Sequence, residues 1–238
     1  MRPQTPQLTI WFKQISKSIM LNFKAVLFDL DGTLLDTAPD FISAVNQQLK
    51  HHGKPRLSDS VMRNTVTNGS AGIIHKAFAI EPDHPDFKPL QEEFLSLYFN
   101  NIADRTALFP GLQTVLETCI EQGILWGIVT NKPWKYTQAL LEQLDLASLS
   151  ATTICPDHVS HPKPDPEGLL LACTELSLSP ADCIYVGDHL RDIQAGQSAG
   201  MRTIAAGWGY IDESDIVEQW QADWIVEKSQ NLNTLLFT

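Results

Sequence analysis

Four short segments carry aspartates, hydroxyls and a lysine in positions where they could act together. They are Asp29-Leu30-Asp31-Gly32-Thr33, Thr130-Asn131-Lys132, His161-Pro162-Lys163-Pro164-Asp165, and Gly187-Asp188 with Asp192 four residues on. Asp29 and Asp31 stand two residues apart, so continuing strand geometry points both carboxylates the same way. Paired like this, one carboxylate can attack phosphorus while the other gives and later takes a proton. Standing alone, the same pair could instead cap a turn, a reading the other three segments disfavour. Asp188 and Asp192 would join Asp29 in a hard-oxygen site of the kind Mg2+ uses with water and phosphate oxygens, although Asp192 reads as well as a first-turn helix acid. Thr33 is as good a helix N-cap as an orienting hydroxyl. Prolines on both sides of Lys163 stiffen its loop; outside this company it would read as a solvated surface lysine.

These segments need a scaffold that brings them to one place. Short, continuous apolar runs read as strands of a parallel sheet covered on both faces. They are KAVLFDL (24–30), LWGIVT (125–130), ATTICP (151–156), CIYVGD (183–188) and RTIAAG (202–207), with ADWIVE (222–227) as an edge strand. Helical patterns at 112–122, 133–144, 166–176 and 190–199 alternate with them, the first stopping at Gly123 and the last at Gly200. The fold class is therefore α/β, a doubly wound Rossmann-like parallel sheet. In such sheets ligands bind beyond the carboxyl ends of the strands, where the four segments lie. One crossover is about three times the length of a βαβ unit. It contains helical patterns such as DFISAVNQQLKHHG and LQEEFLSLYFNN, so it reads as an inserted small helical cap domain rather than a loop. The boundaries expected are 37–107 for the cap, 21–36 and 108–238 for the catalytic core, and 1–20 for a poorly ordered extension.

Composition narrows the partners. A formal net charge of −11 does not attract nucleic acid or anionic lipid, so an anionic substrate needs local positive charge. Cys119, Cys155, Cys173 and Cys183 form no CxxC pair and read as free thiols of a reducing cytoplasm. No apolar run is long enough to span a membrane. The seven histidines, His189 within VGDHLRD among them, show no metal-binding spacing, and neither a Walker lysine motif nor GxGxxG is present.

FDLDGTLLDT, VTNK, the lysine of HPKPDP and VGDHLRD match in order the four motifs of the haloacid dehalogenase-like superfamily, and the chain resembles that family over residues 23–210. The resemblance implies a Mg2+-dependent phosphatase of small phosphorylated metabolites. Asp29 is then the nucleophile, Asp31 the acid and base, Thr130 and Lys163 the groups that hold the phosphoryl, and Gly32 and Asn131 lie against it. The metal ligands implied are the Asp29 and Asp188 side chains and the Asp31 carbonyl, with Asp192 and Thr33 orienting them. The family's dehalogenases lack an aspartate at the place of Asp31. DTAPDF resembles phosphoglycolate phosphatases. WGIVTNKP, CPDHV and KPDPEGLLLAC resemble the branch acting on N-acetylmuramic acid 6-phosphate in cell-wall recycling. Pro39, Asp40 and Phe41 stand where mutases of the superfamily carry a hinge histidine. TNGSAG (67–72) looks like the cap loop that reaches the substrate, with Asn68 and Ser70 as contacts, and reads equally as a plain turn.

Overall fold

A computed structural model describes residues 21–212 and 214–238; the expected 1–20 extension lies outside them. Six strands form one parallel sheet: β1 (Ala25–Phe28), β4 (Leu125–Val129), β5 (Thr153–Ile154), β6 (Cys183–Gly187), β7 (Arg202–Ala206) and β8 (Trp224–Val226). Their spatial order is β5-β4-β1-β6-β7-β8. Strand β1 is central, and all four of its residues are fully buried. Its side chains alternate between two cores, as pleating requires. Val26 and Phe28 join Leu112, Val115 and Leu116 of α5 (Leu112–Glu121), Leu140 and Leu141 of α6 (Trp134–Gln143) and Leu232 and Leu236 of α9 (Leu232–Phe237). Ala25 and Leu27 join Leu169 and Ala172 of α7 (Glu167–Leu176) and Ala195 and Ala199 of α8 (Leu190–Ala199). Helices thus cover both faces, which is the doubly wound arrangement.

Of the ATTICP run only Thr153 and Ile154 are strand, paired with Ile128 and Val129 of β4, although the Ala151 amide and the Thr152 carbonyl also bond β4, at 2.8 and 2.9 Å. ADWIVE supplies β8, the strand at the opposite edge. Trp126 is buried in the core. All four cysteines are free and buried, and no helix among the described residues is long and apolar enough to cross a membrane.

The long crossover contains α1 (Ala38–His51), α2 (Asp59–Thr65), α3 (Gly69–Phe78) and α4 (Phe87–Asn100). Helix α1 buries Ala38, Phe41, Ile42, Val45 and Leu49, a 3–4 residue repeat that makes one apolar stripe. That stripe meets Phe94 and Tyr98 of α4, with Phe41 stacked on Tyr98 at 4.1 Å between ring centroids. TNGSAG is no loop: a single 3-10 turn, Val66–Asn68, leads straight into α3. An antiparallel pair, β2 (Leu35–Asp36) with β3 (Ala107–Leu108), joins these helices to the sheet. Beside it the buried Asp40 accepts hydrogen bonds from the Arg105 and Thr106 amides at 2.9 and 3.0 Å and from the Thr106 hydroxyl at 2.6 Å. Its carboxylate therefore ties the outgoing crossing to the returning one. Asp40→Ala leaves three donors, two of them on the buried Thr106, without an acceptor and should lower the unfolding free energy by about 2–4 kcal/mol, measurable by urea denaturation.

Candidate active site

The carboxyl ends of β1, β4 and β6 and the loop before α7 place Asp29, Thr130, Asp188 and Lys163 around one point. Lys163 is the centre of the cluster. Its buried ammonium donates to Asp29 Oδ1 at 2.8 Å, Asp192 Oδ1 at 2.6 Å, the Tyr185 hydroxyl at 2.6 Å and the Val129 carbonyl at 3.0 Å. Burial pushes the Asp29 carboxyl up. The charge and hydrogen bond of Lys163, with the Leu30 amide and the Thr130 hydroxyl, overcome it and hold Asp29 below the usual carboxylate range. A carboxylate kept ionised beside a cation is a competent nucleophile. Burial would lower the Lys163 ammonium, but Asp192 and Asp29 raise it above the ordinary lysine value.

Asp29, Asp188 and Asp192 each bring one carboxylate oxygen to within 4.8 Å of the others. Asp188 accepts from the Thr33 hydroxyl at 3.1 Å and the Tyr210 amide at 2.8 Å. It is pushed up to about 8 by burial and then by the negative charges of Asp29 and Asp192, against the pull of those two donors. A divalent cation among the three would relieve this repulsion, and an all-oxygen donor set fits such an ion. Asp192 spends its other oxygen on the His189 amide at 3.0 Å. It therefore sits in the cluster while anchoring Lys163 and the start of α8.

Asp31 lines the same cavity as Asp29 and Asp188. Its carboxylate accepts from Thr37 Oγ1 at 2.5 Å and from Lys132 Nζ at 3.0 and 3.2 Å. The Lys132 ammonium also lies over the rings of Phe41 and Tyr98, 4.6 and 4.9 Å from their centroids. The ammonium is thus shared between a sheet residue and two inserted helices. A cavity of about 390 Å3 opens between sheet and insert, lined on the sheet side by Asp29, Asp31, Thr130, Lys132, Lys163 and Asp188.

The remaining residues take the following places. Thr33 caps no helix; it lies in the turn before β2 and orients Asp188. Gly32 does not border the cavity. It has φ +82°, and a Cβ there would lie 2.1 Å from Asp188 Oδ2, so its missing side chain makes room for that carboxylate. Asn131 lines the cavity, yet its amide is tied to the Lys163 backbone in both directions, at 3.0 and 3.1 Å. It fixes the lysine loop. Asn68 and Ser70 line the cavity from the insert, and Ser70 Oγ accepts from Gln91 at 2.8 Å. His189 is the N-cap of α8, accepting from the Arg191 amide at 3.1 Å.

Tyr185 and Tyr210 escape a motif-based reading. Tyr185 is buried in β6 and bonds Lys163, and its hydroxyl donates to Val129 O at 2.7 Å. Tyr210 gives its amide to Asp188 while its hydroxyl donates to Asp36 Oδ1 and accepts from the Ala38 amide, both at 2.8 Å. Lys132 was visible in the tripeptide after β4, but nothing in its spacing points to Asp31.

The pattern of the family described as "Haloacid dehalogenase-like hydrolase" matches residues 26–206. The chain belongs to this family. Among these hydrolases it is 43% identical over 216 residues to an N-acetylmuramic acid 6-phosphate phosphatase of Pseudomonas putida, covering 91% of this chain and 97% of the relative. It is 40% identical over 209 residues to a phosphoglycolate phosphatase of Xanthomonas campestris, covering 88% and 94%. A crystal structure described as a predicted phosphoglycolate phosphatase of Haemophilus somnus superposes with a TM-score of 0.79 at 28% identity, covering 91% of this chain and 99% of that one. This haloacid dehalogenase-like hydrolase is a phosphatase. Gly32→Ala should displace Asp188 and weaken Mg2+ binding about 10- to 100-fold, as titration calorimetry of the folded variant would report.

Proposed function

We propose that the chain hydrolyses a small phosphate monoester in two steps through an aspartyl phosphate on Asp29, with Mg2+ held by the Asp29 and Asp188 carboxylates and the Asp31 carbonyl. The observation that carries this reading is the Lys163 ammonium bridging Asp29 and Asp192 while Asp31, lining the same cavity, is held separately by Lys132. Bound there, Mg2+ would neutralise developing phosphoryl charge. Asp29 attacks phosphorus, its ionised state maintained by Lys163. Asp31 hands its proton to the departing ester oxygen and then takes one from the water that attacks the aspartyl phosphate. Thr130 and Lys163 face the transferring oxygens, where fixed donors stabilise charge without reorganising. Helices α1–α4 act as a cap, covering the reacting groups and presenting Asn68 and Ser70 to the rest of the substrate.

The substrate we propose is an amino-sugar phosphate of the N-acetylmuramic acid 6-phosphate type. Support comes from the relative of that name, similar over nearly its whole length, and from a cavity of about 390 Å3, far more than a two-carbon ester fills. Phosphoglycolate is the second reading, supported by the Xanthomonas relative. A panel of phosphate monoesters assayed with Mg2+ should single out N-acetylmuramic acid 6-phosphate in kcat/KM. EDTA should abolish turnover, and Asp29→Asn should lower kcat by at least about 1,000-fold. Undiminished activity of Asp29→Asn would contradict the mechanism; a preference for 2-phosphoglycolate would move the substrate to the second reading.

A further inference from the structure

Three cations line the cavity: Lys132, Lys163 and Arg191. The two lysines are committed, each held within 3.0 Å of a carboxylate of the reacting cluster. Arg191 is not. Among the described residues no carboxylate forms a salt bridge with it, and the partner of its side chain is the Thr67 carbonyl, which accepts from Nη2 at 2.7 Å. It is partly buried in the first turn of α8, next to Asp192. The facing cavity wall, Thr67 to Ala71, carries no acidic side chain. A half-buried guanidinium with one donor engaged by a neutral oxygen keeps others for a planar, bidentate anion. Such a group is needed here, because the cavity otherwise carries three facing carboxylates on a chain of net charge −11.

We infer that Arg191 is a specificity-determining residue that binds a carboxylate on the part of the substrate that does not react. The inference rests on the phosphatase reading and deepens it: N-acetylmuramic acid 6-phosphate carries a carboxylate on its lactyl ether, and phosphoglycolate carries one on its single remaining carbon. A carboxylate between Arg191 and the turn at Thr67 would also tie the sheet to the insert, so the charge that marks the substrate would help hold the cavity closed around it.

Matched pairs of esters test this. N-acetylmuramic acid 6-phosphate and N-acetylglucosamine 6-phosphate differ by the lactyl group; 2-phosphoglycolate and 2-hydroxyethyl phosphate differ by the carboxylate alone. The wild type should prefer the carboxylate-bearing member of the pair it hydrolyses. Arg191→Gln should reduce that preference, as a ratio of kcat/KM values, about 10- to 100-fold, chiefly through KM, and Arg191→Lys should restore part of it. If Arg191 served only to join α8 to the turn at Thr67, the variant would slow both members alike; an unchanged ratio would overturn the inference and leave the phosphatase reading standing. Wild type inactive on all four esters with Mg2+ would instead remove both substrate readings, and the inference with them.

Discussion

The buried ammonium of Lys163 is the constraint on which the centre depends. It lies within 2.6–3.0 Å of four acceptors, two carboxylates, a hydroxyl and a carbonyl, among which its three N–H groups are shared. Without it, Asp29, Asp188 and Asp192 would face one another with no fixed positive charge. Removing one partner of a buried ion pair typically costs about 3–5 kcal/mol. The arrangement around the lysine is correspondingly over-determined: Asn131 holds its backbone, Tyr185 is locked to Val129, and Asp192 is pinned by the His189 amide. The same charge that makes the cluster foldable holds Asp29 ionised, so stability and nucleophilicity have one cause.

A second set of contacts links the reacting groups to the inserted helices. Tyr210 joins Asp188 to Asp36 and to the first turn of α1, and Arg63 of α2 reaches the same Asp36 at 2.9 Å. Lys132 divides its ammonium between Asp31 and two rings of α1 and α4. A shift of those helices is therefore felt at Asp31 through Lys132 and at Asp188 through Tyr210.

The order of the strands' residues was readable because fully buried parallel strands are apolar from end to end, and the polar residue that ends each run is conspicuous. Asp29, Thr130 and Asp188 stand out in this way. The excess length between the first two sheet strands announced an insertion, and the repeat at Phe41, Val45 and Leu49 announced its helices. What stayed hidden depends on distance in the fold rather than on spacing. Gly32 is glycine because Asp188, 156 residues later, lies against it. Tyr185 looks like any strand aromatic until Lys163 arrives beside it. TNGSAG, rich in turn formers, becomes the start of α3 because Ile73, Ile74 and Phe78 must be buried against α1 and α4.

The central claim is that phosphorus is attacked by Asp29 and not by water. The direct measurement is rapid acid quenching of the Asp31→Asn enzyme mixed with Mg2+ and an ester, followed by peptide mass spectrometry. With an activated ester such as 4-nitrophenyl phosphate, whose leaving group departs without a proton, only the second proton transfer is impaired, and a phosphoryl group should accumulate on the peptide containing Asp29 within the first turnover. Product release with no phosphorylated peptide, or label on a different residue, would contradict the account.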